Sequence, residues 1–118
     1  TEHPFCKIPN LLYLNDIFRA IDLIEKSTKN KKLEEFKLNR ELIDATAMRI
    51  QIIGESIKKL PEKLKVKYKG AEWDKYLQTR NIISHAYFAV NSEILWSIVK
   101  KNIPKLKKEI RKILDKEK

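Results

Sequence analysis

Apolar residues along this chain recur at three- and four-residue intervals. Leu14, Ile17, Phe18, Ile21 and Ile24 mark an amphipathic helix from about Leu11 to Ser27. The polar run Thr28 to Lys32 breaks that pattern. Asn39 is a good N-cap for a second, longer helix, with Ile43, Ala47, Ile50, Ile53 or Gly54, Ile57 and Leu60 as its apolar stripe. Pro61 ends it, and Leu64 and Tyr68 suggest a short helical piece before Gly70, which suits a C-cap. A third helix begins near Ala71 to Asp74, where Glu72 and Asp74 match the positive N-terminal end of a helix. Trp73, Tyr76, Leu77 and Ile83 form its apolar face. Phe88 to Asn91 reads as a bend. Asn91 or Ser92 can then cap a last region with Ile94, Leu95, Ile98 and Val99 inward. Pro104 interrupts this region before Leu106, Ile110, Ile113 and Leu114 resume the period, which leaves one kinked helix or two. The expected fold is all-α: a four-to-five-helix up-and-down bundle of four main helices and one short piece. It forms one domain over residues 11–118, after an N-terminal extension of residues 1–10.

Composition narrows this picture. A chain of 118 residues supports one modest core, and 42% apolar with 36% charged residues describes a folded, water-facing domain. Two glycines and four prolines are too few for the turns of an all-β fold. No apolar run is long enough for a membrane span, and no secretory pattern opens the sequence. A lone cysteine, Cys6, leaves no intrachain disulfide and fits a cytoplasmic location. The net charge of +10 is concentrated in two places. Lys58 to Lys69 holds six lysines against Glu62, and Lys100 to Lys118 holds nine basic residues against Glu109, Asp115 and Glu117. A polyanionic partner such as RNA is the functional reading of that concentration, and solvated lysine-rich helix faces are the plain one.

Candidate chemistry gathers in Arg80-Asn81-Ile82-Ile83-Ser84-His85-Ala86-Tyr87. The other histidine, His3, lies in the N-terminal extension, so His85 is the credible proton-transfer group near neutral pH. An imidazole can take the proton of a ribose 2′-hydroxyl or protonate a leaving oxygen. A guanidinium can hold a phosphate oxygen and offset the charge that grows in the transition state. Asn81 can orient either group. Together these residue types suit RNA cleavage by internal transesterification without a metal. No metal-ligand motif, cofactor motif or glycine-rich phosphate loop occurs in the sequence. Spacing alone does not build the site, however. At about 100° per residue Arg80, Ser84 and Tyr87 share one helix face, whereas Arg80 and His85 lie about 140° apart. The plain alternative is a helix end with a satisfied hydrogen-bond network. Gly54, inside a helix, costs about 1 kcal/mol relative to alanine. Either a close helix crossing in the core or a close approach of two subunits would require it.

The segments IQIIGESIKKLP, RNIISHAYFAV and ILWSIVKKNIPKLKKEI resemble the HepT-like branch of the HEPN superfamily, from about Leu11 to Ile113. Arg80, His85 and Tyr87 match that branch's arginine, four residues, histidine, any residue, tyrosine, and Asn81 matches the polar residue that follows its arginine. The resemblance implies an α-helical homodimer whose motif helices line one cleft about the two-fold axis, each subunit completing the other's site. It also implies a metal-independent endoribonuclease that leaves 2′,3′-cyclic phosphate ends and acts as the toxin of a type VII-like toxin–antitoxin pair. The antitoxin would be a minimal nucleotidyltransferase that silences the toxin by transferring AMP to Tyr87. Arg80 and His85 are then the catalytic pair, with Asn81 in support and Glu55 a weaker candidate that either orients Arg80 or is merely a solvated helix residue. A rival reading is a non-catalytic module that only docks the nucleotidyltransferase.

Overall fold

The computed structural model describes residues 8–117, so Thr1 to Lys7, with His3 and Cys6, lie outside the described residues. Among the described residues there is no strand. The chain folds as α1 (Ile8–Thr28), α2 (Leu33–Lys37), α3 (Arg40–Lys58), α4 (Glu62–Lys67), α5 (Trp73–Ala86), α6 (Ser92–Ser97) and α7 (Ile103–Lys116). Short 3₁₀ turns at Lys69–Ala71 and Tyr87–Ala89 flank α5, and a π-helical stretch, Ile98–Asn102, joins α6 to α7. This is the expected all-α bundle, with two short pieces rather than one. No helix among the described residues is long and apolar enough to cross a membrane.

The apolar stripes read from the sequence meet in one core. Ile17, Ile21 and Ile24 of α1, Ile50, Ile53 and Ile57 of α3, and Ile103, Leu106 and Ile110 of α7 are fully buried. Each such side chain contributes about 1.5–3 kcal/mol by leaving water. α3 is the central helix, packed by α1 and by α5, and α7 packs on α1. Asn39 caps α3 as expected, its side-chain oxygen accepting from the Leu42 amide at 3.0 Å.

Several expectations change. α1 begins at Ile8, so the last residues of the expected N-terminal extension are helical. α2 lies where no helix was expected. Glu35 satisfies the Lys32 amide at 3.0 Å, and the helix exists to bury Phe36, whose ring centroid lies 5.1 Å from that of Trp96. Gly70 does not cap a helix in the left-handed region. Glu72 takes that conformation, with φ 54°. Gly70 instead sits in the 3₁₀ turn beneath α7, where an added Cβ would stand 2.5 Å from Glu109 Oε1. Ile94, expected inward, is 58% exposed, while its neighbour Leu95 is fully buried. Helical backbone runs on through Pro104. This proline sits in the first turn of α7, where its missing N–H is harmless, and the widened π turn before it carries the chain on without a break.

Candidate active site on the crossing of α3 and α5

Gly54 is the reason α5 can lie where it does. A Cβ there would collide with Arg80 Cβ and stand 2.9 Å from Arg80 Cγ and 3.0 Å from the Tyr76 carbonyl oxygen. The missing side chain on α3 therefore makes room for the arginine of the motif. Of the two readings of Gly54, the close crossing inside one chain is the one observed.

From that contact three polar links run along the crossing. In the first, Arg80 Nε and Nη2 both reach Glu55 Oε1, and Nη1 donates to Asn81 Oδ1 at 2.9 Å. Arg80 is one-fifth exposed, so its guanidinium is held in place with an edge still open to solvent. In the second, Gln51 Nε2 donates to Ser84 Oγ at 3.3 Å. In the third, the Tyr87 hydroxyl donates to Asp44 Oδ1 and accepts from Arg40 Nη2 at 2.7 Å. Arg40 also donates to Asp44 Oδ1 from Nε at 3.0 Å and from Nη2 at 2.9 Å, and its guanidinium carbon lies 5.5 Å from the Tyr87 ring centroid. The shared face of Arg80, Ser84 and Tyr87 thus points at α3, although Tyr87 already belongs to the 3₁₀ turn beyond α5.

The structure brings Glu55, Arg80 and Asn81 together and leaves His85 apart. His85 is exposed, and among the described residues no hydrogen bond holds its side chain. The angular gap between Arg80 and His85 is therefore not closed by any contact among the described residues. Tyr87 is half-buried and lines a groove of about 250 Å³ with Asp44, Ala47, Met48, Gln51 and Ile83. Burial lifts its phenol above the ordinary value, and the bond to Asp44 adds to this, against the opposing Arg40. The same bond, followed by Arg40, lowers the Asp44 carboxyl. Near neutral pH the phenol is protonated and Asp44 is ionised. Arg40 and Asp44 were missed in the sequence. Their only signal was an i,i+4 pair of opposite charges on the second helix, which many surface helices carry.

Among the described residues no three His, Cys, Asp or Glu side chains gather as a metal site. What the crossing presents is an all-α domain with a fixed guanidinium, a free imidazole one turn further on, and a tethered phenol. The chain belongs to the HepT-like ribonuclease family, whose profile, described as "Ribonuclease HepT-like", matches residues 17–113. It is 46% identical over 88% of its length to a Methanocaldococcus jannaschii protein named "Gamma-glutamylcyclotransferase and putative RNase". That match covers 47% of the relative, so the chain spans about half of it. It is also 36% identical to "Probable ribonuclease HepT" of Thermococcus cleftensis, over 86% of this chain and 92% of that one. No solved structure matches the chain at comparable significance.

Proposed function

We propose that this protein is a metal-independent endoribonuclease and the toxin of a type VII-like toxin–antitoxin pair, acting as a homodimer. The observation that carries the reading is the Gly54–Arg80 apposition. A ribonuclease-family chain gives up a side chain in its central helix so that Glu55 and Asn81 can fix one arginine, while the exposed His85 of the same helix as that arginine stays free to meet a partner. His85 takes the proton of a ribose 2′-hydroxyl, whose oxygen attacks the adjacent phosphorus. The bond to the 5′-oxygen breaks, and that oxygen leaves as the 5′-hydroxyl with a proton from solvent, while His85 returns its own proton to solvent. Arg80 offsets the charge on the phosphoryl oxygens. The product is a 2′,3′-cyclic phosphate.

The second copy supplies what one chain lacks. Arg80 is drawn to α3 while His85 projects freely, and the exposed apolar side chains Met48, Ile82 and Phe88 lie on or beside the same crossing. A two-fold partner covering them brings the His85 of one subunit towards the Arg80 of the other. The direct test is incubation of the purified protein with RNA in the presence of a chelator. Cleavage leaving 2′,3′-cyclic phosphate ends supports the reading. Intact RNA beside tight binding of a nucleotidyltransferase would instead favour a non-catalytic docking module.

Tyr87 is the proposed control point. A minimal nucleotidyltransferase antitoxin would join the phenolic oxygen to the α-phosphorus of ATP, with pyrophosphate leaving and the phenolic proton passing to solvent. The AMP so attached carries a negative charge beside Arg40 and occupies the groove next to the motif. After incubation with the antitoxin and ATP, mass spectrometry should find the adenylyl mass on the peptide containing Tyr87 and none in Tyr87→Phe. Undiminished labelling of Tyr87→Phe would place the modification elsewhere.

A further inference from the structure

The two basic segments, far apart in sequence, are neighbours in space. Lys67 Nζ and the Tyr68 hydroxyl both reach Glu117 Oε2, at 2.9 and 2.8 Å, which ties the end of α4 to the end of α7. The 3₁₀ turn that follows α4 lies against α7 at Glu109. At about 100° per residue, Lys105, Lys108, Lys112 and Lys116 fall along one side of α7, away from the buried Ile103, Leu106, Ile110 and Ile113. Lys112 pairs with Glu109 at 3.0 Å. Lys105, Lys108 and Lys116 are exposed without an ion-pair partner among the described residues, and Asp115 is the exposed carboxylate of α7. This row extends for about 16 Å. The adjoining groove between α4 and α5 sets Lys65, Lys69 and Lys75 against Glu62, Glu72 and Asp74, so the excess positive charge stands on α7.

We propose that the outer face of α7, continued by α4, docks the phosphate backbone of RNA at a distance from the motif. The occupant rests on the ribonuclease reading; the surface itself rests on charge and placement. A membrane surface fits less well, because Ile103, Leu106, Ile110 and Ile113 of α7 are buried and Val66 of α4 is, among the described residues, the one large apolar side chain exposed on this face, too little to anchor in lipid. The path onward is short. α5 starts just after the 3₁₀ turn, and Arg80 follows Trp73 by seven residues, about 10 Å along the helix. On this proposal a substrate long enough to touch both the lysines and Arg80 is favoured.

Binding of a fluorescent 20-nucleotide RNA, read by anisotropy at several salt concentrations, tests this without turnover. Lys105→Glu with Lys108→Glu should weaken binding at least tenfold and flatten the salt dependence, by about 0.7 in logarithmic slope for each phosphate that is no longer neutralised. Lys105→Arg with Lys108→Arg should keep both affinity and slope. Arg19→Glu on α1 should change affinity much less than the lysine pair. Unfolding curves confirm that the variants are folded, and the neutral pair Lys105→Gln with Lys108→Gln repeats the test if charge reversal perturbs them. Unchanged affinity and slope in the glutamate pair overturn the proposal, as does tighter association with phosphatidylserine vesicles than with RNA. Salt-dependent binding without cleavage would uphold the surface and count against the ribonuclease reading alone.

Discussion

His85→Ala should lower RNA cleavage by about 10²- to 10⁴-fold, the range expected when a positioned acid–base group is removed. It should leave the unfolding midpoint almost unchanged, because His85 is exposed and holds no hydrogen bond among the described residues. Arg80→Ala should abolish cleavage to a similar degree, but with a cost in stability, since Glu55 and Asn81 lose their shared partner. Arg80→Lys should not restore the rate, because an ammonium cannot bond Glu55 and a phosphate oxygen with one planar fork. If the two residues act across subunits, a mixture of the two inactive variants should recover activity. A dimer of one His85→Ala and one Arg80→Ala chain keeps one complete site, so an equal mixture after subunit exchange should reach about a quarter of the wild-type rate. No recovery after verified exchange would place both residues in one chain. Cleavage by His85→Ala at the wild-type rate would remove the histidine from the mechanism.

Gly54→Ala should destabilise the protein by about 1–3 kcal/mol, the ordinary cost of overpacking. Helix propensity alone predicts the opposite, a gain of about 1 kcal/mol. Steric contact decides the sign. The new methyl would overlap Arg80 Cβ and press on the Tyr76 carbonyl oxygen at 3.0 Å, and neither atom is the far end of a flexible chain. Relief requires α5 to move away from α3, which also lifts Arg80 from Glu55. Stability and cleavage should therefore fall together, and Gly54→Val should be worse in both. Combining Gly54→Ala with Arg80→Ala should not rescue stability, because the offending Cβ remains. Urea unfolding of the three variants measures this, and a stabilised Gly54→Ala would show that the crossing is looser than its geometry.

The long amphipathic segments were legible because their period survives any tertiary context. The stripes of α1, α3 and α7 are buried as read, and Asn39 caps where a side-chain oxygen should. What escaped was set by partners distant in sequence. α2 is too short to show a period and is fixed by Phe36 reaching Trp96. Gly70 was given a conformational role, while its backbone stays out of the left-handed region and simply lies close to the Glu109 carboxylate. In the site, the motif residues stood out by type, and the need for a glycine at position 54 was visible without its partner. Arg40 and Asp44 could not be connected to Tyr87, because a contact spanning more than forty residues leaves no local trace.

The helix holding the motif ends between its last two functional groups. Ala86, with φ −151° and ψ 54°, leaves the helical region, so His85 belongs to α5 and Tyr87 to the turn that follows. His85 is thereby registered to α5, which packs on the central helix α3, while the phenol hangs on a short 3₁₀ segment that opens as a far smaller cooperative unit. An enzyme could lift Tyr87 from Arg40 and Asp44 into its own cleft without unwinding the element that positions Arg80. Removal of the proposed adenylyl group would then return a motif helix that had never been dismantled.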